Sequence, residues 1–208
     1  MAATTPLLEA LVVADTPDAW RAAGFAVDGC ACRVGAVRLQ LGAHGRGVTA
    51  WSLSGISGGD EIDGLPAAVP ATESPAPAAV HPNGALSLDH LVVTSHDVER
   101  TVAALVGRGL EPRRRWVSGD RRYTFFRVGE AILELIGPDQ PDGHSRPARF
   151  YGLAFTVADI DATAALLGER LGRVKDALQP GRRIATLRPE AGLSTAVAFM
   201  SPGRGAIP

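Results

Sequence analysis

Several residue types and patterns that would mark a class of protein are scarce in this chain of 208 residues. The formal net charge is only −1 at pH 7, so no basic field favours nucleic acid or an anionic membrane surface. The only cysteines, Cys30 and Cys32, are too close together for a relaxed disulfide and too few for a closed zinc site. A small molecule is therefore the expected kind of partner.

Long apolar runs are also missing. No stretch approaches the roughly 20 apolar residues of a transmembrane helix, and the N-terminal MAATTPLLEALVVAD lacks the basic start and long apolar centre of a secretory signal. We therefore expect a cytoplasmic protein. With 46% hydrophobic and 21% charged residues, the chain has the composition of an ordinary globular protein with a buried core.

A repeated order of elements runs through the second half of the chain. LDHLVVTS (88–95) has the pattern of a buried strand, apolar residues at helical spacing follow it, and three further strand candidates come next. The same order recurs up to residue 202, with the helical apolar positions shifted by 62 residues. The third strands share an Arg-Arg-x4-Arg pattern, formed by Arg121, Arg122 and Arg127 in one copy and by Arg182, Arg183 and Arg188 in the other. This repetition predicts two tandem βαβββ modules.

The first 59 residues read as a shorter, divergent copy of the same module. RVGAVRLQL (33–41) returns 94 residues later as RVGEAILEL (127–135), with Gln40 replaced by Glu134. Residues 60–86 contain five prolines and little periodicity, which indicates an extended linker. We expect three parts: a module at 1–59, the linker at 60–86, and a two-module domain at 87–208 with modules at 87–140 and 148–202. An odd module must pack outside the paired ones or meet its counterpart in a homodimer.

This tandem arrangement, with LDHLVV in a first strand and ILELIGP in a last strand, resembles the vicinal oxygen chelate superfamily of glyoxalases, bleomycin-resistance proteins and extradiol dioxygenases. The resemblance implies an α+β fold in which βαβββ modules form a U-shaped, mixed β-sheet cup with the helices outside. It also implies a divalent metal held by first-strand and last-strand side chains. His90 and Glu134 match those positions in the middle module.

The other modules depart from that pattern. Gly152 and Ala198 match the two ligand positions in the third module and cannot bind a metal. Ala10 and Gln40 match them in the first, so Gln40 is at most a weak third ligand. The resemblance therefore leaves two alternatives open: a metal site built on His90 and Glu134, and a cup that works without metal.

The residues themselves support a site at the same place. Strict alternation puts Leu88, His90, Val92 and Thr94 on one face of their strand, where His90 interrupts an apolar row. Glu134 interrupts another, so the carboxylate needs a histidine, an arginine, a metal or water beside it.

Two further sets of residues bear on a ligand. The small residues Gly152, Ala154, Ala196 and Ala198 either leave a hollow for a ligand or allow close packing. Arg121, Tyr123, Phe125 and Arg127 share one side of a strand and either contact an anionic ligand or face solvent.

We expect a protein that binds a small polar or anionic organic molecule in the cup, without a nucleotide cofactor. If it is an enzyme, the chemistry is lyase- or isomerase-type proton transfer next to a carbonyl. Glu134 then serves as metal ligand or base, and His90 as ligand or acid–base partner. The alternatives are a metal-free protein that sequesters a compound, and a purely structural role.

Overall fold

The computed structural model describes residues 5–68, 79–141, 143 and 146–203. The described strands are β1 (Leu7–Val13), β2 (Ala31–Val34), β3 (Val37–Leu41), β4 (Val48–Ser54), β5 (Glu61–Ile62), β6 (Leu65–Pro66), β7 (Ala85–Thr94), β8 (Pro112–Ser118), β9 (Arg121–Val128), β10 (Ala131–Pro138), β11 (Arg149–Val157), β12 (Lys175–Asp176), β13 (Arg183–Thr186) and β14 (Ala196–Met200). The described α-helices are α1 (Pro17–Ala22), α2 (Val98–Gly107) and α3 (Ile160–Leu167). None of these helices is long and apolar enough to cross a membrane.

The largest sheet contains two βαβββ modules side by side. Its eight strands have the order β12-β13-β14-β11-β7-β10-β9-β8. In each module the first strand pairs in parallel with the last, β7 with β10 and β11 with β14. Strands β7 and β11 pair antiparallel and join the modules into one open sheet. The predicted α+β fold of tandem βαβββ modules is thus confirmed.

The two module helices begin alike and pack on one face of this sheet. Asp97 and Asp159 cap α2 and α3 by accepting hydrogen bonds from backbone N–H groups of the first turn. The buried residues of α2 include Val98, Val102 and Leu105, at the spacing of one helical face. The opposite face of the sheet is not covered by these helices.

A β-bulge in β7 changes which side chains reach that open face. His90 lies opposite Ala154, but Leu88 lies opposite the very next residue of β11, so Asp89 is an extra residue in β7. Leu88 consequently points into the core. The prediction that Leu88 shares a face with His90 is wrong, because the bulge interrupts strict alternation.

The N-terminal residues form a separate four-stranded sheet with the order β2-β3-β1-β4. Strand β1 pairs in parallel with β3 and antiparallel with β4, as β7 does with β10 and β11. This unit packs on the helix side of the large sheet through an aromatic cluster. The ring of Phe25 lies 4.7 Å from that of Trp20, 5.0 Å from Phe155 and 5.9 Å from Phe199, measured between centroids. Of the two arrangements expected for an odd module, the structure has the packing outside the cup.

The described parts of the Pro-rich segment 60–86 make specific contacts with the rest of the protein. Strands β5 and β6 form a hairpin, and the Asp63 carboxylate between them accepts hydrogen bonds from Arg100 and Thr101. The Asn83 side chain, which is 1% exposed, donates to the carbonyl of Ala23. These contacts attach the segment to α2 and to the N-terminal unit. The domain boundaries at 59 and 86 stay predictions.

The buried imidazole of His81, in the same segment, makes the free energy of unfolding depend on pH. Its Nδ1 accepts from the N–H of Ala26, and its Nε2 lies 2.9 Å from the carbonyl oxygen of Arg33, so both bonds are satisfied by the neutral ring. Burial lowers the pKa of His81 below its ordinary value of 6.5. As pH falls through 6.5, His81 takes up a proton in the unfolded chain but not in the folded chain, and the folded state is therefore destabilised.

We therefore expect the free energy of unfolding to decrease as pH is lowered from 7 toward 5, with a smaller decrease in His81→Gln. Urea denaturation at several pH values measures this. His44→Gln is the matched control, because His44 is exposed. An identical pH dependence in His81→Gln and the wild type would contradict the assignment.

Candidate functional site

A cavity of about 480 Å³ lies on the open face of the large sheet, across the junction of the two modules. His90 and Glu134 of the first module line one side, and Ala154, Ala198 and Met200 of the second line the other. The loop after β12 contributes further residues, Ala177, Leu178 and Gln179. The cavity therefore has a polar wall, an apolar wall and a loop at its edge.

His90 is the buried polar group of this cavity, with 4% of its surface exposed. Its Nδ1 lies 2.6 Å from Oδ1 of Asp89, the bulged residue beside it. An ionised carboxylate can only accept, so in the neutral ring Nδ1 carries the proton and Nε2 keeps its lone pair. Within the described part of the chain, Nε2 makes no hydrogen bond. Because Nδ1 is turned toward Asp89, Nε2 is the atom that His90 offers to a ligand.

The Asp89 carboxylate receives donors from both modules. Arg182 Nη2 lies 2.5 Å from Oδ2 and Arg182 Nη1 3.2 Å from Oδ1, while the hydroxyl of Thr156 donates to Oδ2 at 2.5 Å. Burial opposes the ionisation of Asp89, but the hydrogen bonds from His90, Arg182 and Thr156 outweigh it and hold the pKa of the carboxyl below its ordinary value. Asp89 is thus a charged acceptor at neutral pH.

Glu134 lies two residue pairs further along the sheet than His90. It is opposite Val92 of β7 and Phe125 of β9, whereas His90 is opposite Ile132 of β10. Burial raises the pKa of Glu134, and the negative charge of Asp89 adds to this while His90 opposes it. Glu134 makes no hydrogen bond to any other described residue. The Glu134 carboxyl is therefore a second polar group available to a ligand.

The apolar wall contains several residues with small side chains. Ala154 and Ala198 are paired across β11 and β14, and both line the cavity. Gly152 also lines it, but for a different reason: a Cβ at this position would lie 2.5 Å from the carbonyl oxygen of Ala196. Gly152 allows the close approach of β14 to β11, whereas the hollow is due to the alanines.

A smaller cavity of about 290 Å³ adjoins the first and shares His90 and Gln179 with it. Its other lining residues include the basic and aromatic side chains Arg113, Arg114, Phe125 and Arg127. Arg127 Nε donates to the carbonyl of Gly129 at 2.7 Å, and Arg114 has no ion pair with a described residue. The guanidinium groups make this end of the cup suited to an anionic group.

The structure separates the residues that the sequence grouped on one strand. Phe125 and Arg127 line the smaller cavity, but Arg121 and Tyr123 line neither of the two. Tyr123 instead stacks on Trp116 with a centroid distance of 5.0 Å and an interplanar angle of 27°. Sequence reasoning missed the positions of Asp89, Gln179 and Arg182 beside the cavities. The position of Asp89 directly before His90 is the one local signal among them.

Gln40 does not meet His90 and Glu134. It lies in the N-terminal sheet and lines another cavity, of about 590 Å³, where Arg38 Nη2 donates to its side-chain oxygen at 3.0 Å. Among the described residues, no three His, Cys, Asp or Glu side chains converge on a point where they could hold a metal ion. His90 and Glu134 supply two donors, below the three protein ligands typical of a catalytic metal site. The donors that the described residues bring to this cavity therefore do not fit a resident divalent ion.

The chain is similar to known proteins at the level of a family model and of solved structures. Residues 89–186 match the family model described as the glyoxalase/bleomycin resistance protein/dioxygenase superfamily. A methylmalonyl-CoA epimerase from Mycobacterium tuberculosis shares 18% identity with a TM-score of 0.47, over 58% of this chain and 90% of the epimerase. A hypothetical protein from Bacillus halodurans shares 16% identity with a TM-score of 0.48, over 59% of this chain and 98% of its own. A Streptomyces coelicolor methylmalonyl-CoA epimerase, solved with 2-nitronate-propionyl-CoA, shares 22% identity with a TM-score of 0.47, over 59% of this chain and 97% of the epimerase. No curated protein matches the chain significantly.

Proposed function

Because residues 89–186 match the family model of the glyoxalase/bleomycin resistance protein/dioxygenase superfamily, we propose that the cup binds a small polar or anionic organic molecule. One observation carries this proposal: the cavity of about 480 Å³ joins an apolar wall to two polar groups, His90 and Glu134. A concave, mostly apolar site with a few convergent polar groups is the usual make-up of a small-molecule pocket. The arginines at the adjoining cavity provide a place for a carboxylate.

A second candidate function, proton transfer next to a carbonyl, is favoured by the bond between Asp89 and His90. A histidine whose Nδ1 is held by a carboxylate can accept a proton at Nε2 and return it. Glu134 is placed two residue pairs away, and a carboxyl with a raised pKa can donate a hydrogen bond when it is protonated. In this proposal Nε2 of His90 removes the proton, and the Glu134 carboxyl, in its protonated form, donates a hydrogen bond to the resulting oxyanion.

Binding is tested with a panel of 2-oxo acids, hydroxy acids, methyl ketones and aromatic carboxylates, by isothermal titration calorimetry in the presence of EDTA. We expect at least one class to bind the wild type with a Kd below about 1 mM, and His90→Ala to weaken that binding at least about tenfold through loss of a buried hydrogen bond. Absence of binding by the whole panel, or equal binding by His90→Ala, would contradict the proposal.

The second candidate function is separated from simple binding by proton exchange. The compound that binds is incubated with the protein in D₂O, and exchange of the proton next to its carbonyl is followed by NMR. Catalysed exchange that His90→Ala abolishes supports an enzyme. Binding without exchange supports a protein that sequesters its ligand.

A further inference from the structure

A histidine that offers a defined nitrogen to a ligand needs a fixed ring orientation and a fixed tautomer, and an outer hydrogen bond commonly supplies both. The partner of His90 is the residue directly before it. In a regular strand, adjacent side chains point to opposite faces. The bulge in β7 removes that restriction, and it brings Asp89 Oδ1 to 2.6 Å from His90 Nδ1. The bulge is therefore the local feature that permits this pair.

The orientation of the Asp89 carboxylate is in turn held from the second module. Oδ1 accepts from His90 and from Arg182, and Oδ2 accepts from Arg182 and from Thr156. A carboxylate that accepts a forked pair of bonds from arginine is restricted in rotation. The side chains of Asp89 and Arg182 are each 12% exposed, so solvent has little access to the pair. These contacts cross from β7 to the β12–β13 loop and β11.

Arg182 also belongs to the segment that borders the cavity. The loop from Ala177 to Arg182 closes through a bond from the N–H of Ala177 to the carbonyl of Arg182, and Leu178 and Gln179 within it line the cavity. Nε of Arg182 donates to the carbonyl of Ser201 at 2.8 Å, and this bond restricts the orientation of the guanidinium. One side chain thus joins the edge of the cavity to the partner of His90.

We propose that Asp89 and Arg182 are positioning residues that hold His90 in the Nδ1–H tautomer with Nε2 directed into the cavity. A ligand then meets a hydrogen-bond acceptor at His90, so the preferred ligands present an O–H or N–H donor at this point. The ligand consequence rests on the proposed function. The tautomer is a property of the protein alone and is measured without a ligand.

The tautomer is tested by long-range ¹H–¹⁵N correlation spectra of ¹⁵N-histidine-labelled protein, at a pH where the His90 ring is neutral. We expect a single Nδ1–H form in the wild type. Arg182→Gln is expected to produce a mixture with the Nε2–H form, and Arg182→Lys to restore most of the wild-type signal. Arg183→Gln is the matched control, because Arg183 pairs with Asp161 on the exposed surface.

The outcomes separate the two proposals. A wild-type His90 in the Nε2–H form, or a tautomer that Arg182→Gln leaves unchanged, overturns the positioning role whatever binds in the cup. Asp89→Ala is expected to raise the Nε2–H fraction as Arg182→Gln does, and if it does not fold, Asp89→Asn tests the same bond with a conserved shape. Where a panel compound binds, we expect Arg182→Gln to weaken the binding of that compound about tenfold more than Arg183→Gln does. A fixed tautomer in a protein that binds no panel compound contradicts the proposed function and leaves the positioning role standing.

Discussion

Replacing Phe25 with alanine is expected to lower the free energy of unfolding by about 3–5 kcal/mol, the range for deleting a buried aromatic side chain. Phe25 is 2% exposed and lies between Trp20 of the N-terminal unit and Phe155 and Phe199 of the large sheet. Its removal leaves a cavity at the contact between the two sheets. Urea denaturation followed by tryptophan fluorescence measures the effect, since Trp20 reports on the same cluster.

Phe125→Ala is the matched control, because that ring is only half-buried and lines the smaller cavity of the cup. We expect Phe125→Ala to cost about 1 kcal/mol or less, since little surface is removed from the core. If Phe25→Ala costs no more than Phe125→Ala, the N-terminal unit does not pack on the large sheet as described.

Replacing Ala198 with leucine is expected to weaken ligand binding about 100-fold or more, equivalent to roughly 2.7 kcal/mol. Ala198 lies on the apolar wall, and a leucine there occupies the space that the ligand needs. The Ala198 side chain borders the cavity and is half-buried, so the larger side chain enters open space and the fold is retained. Calorimetry with the panel compound that binds wild type measures the change.

Ala165→Leu makes the same chemical change at an exposed position of α3, on the other face of the sheet. It should bind the ligand as the wild type does. Wild-type affinity in both Ala198→Leu and Ala165→Leu would place the ligand outside this cavity. A comparable loss in both variants would point to a general effect on folding.

The tandem modules could be predicted because their repetition is local and regular. Helical apolar positions recur 62 residues apart, and both helices begin at aspartate caps, Asp97 and Asp159. His90 and Glu134 could be found for a similar reason, since each polar side chain interrupts a regular apolar row. Such signals are carried by residues close together in sequence, and they do not depend on how distant strands meet.

The residues that complete the site depend on tertiary contacts and could not be predicted in the same way. Asp89 reaches His90 only because of a bulge, which follows from the register between β7 and β11. In the sequence Arg182 is one member of the Arg-Arg-x4-Arg pattern, yet its guanidinium contacts the carboxylate of Asp89, which lies 93 residues away in the chain. Gln40 occupies a position equivalent to Glu134 in its own sheet, and the separation of the two sheets keeps it from the cup.

The most direct test of the account is where a ligand binds. Methyl NMR of protein labelled at alanine and methionine, with the panel compound that binds wild type, reports this position. We expect the largest shift changes at the methyl groups of the cup, those of Ala154, Ala196, Ala198 and Met200. Changes confined to the N-terminal cavity, at Ala10, Ala36 and Ala68, would contradict the central claim that the cup formed by the two modules is the binding site.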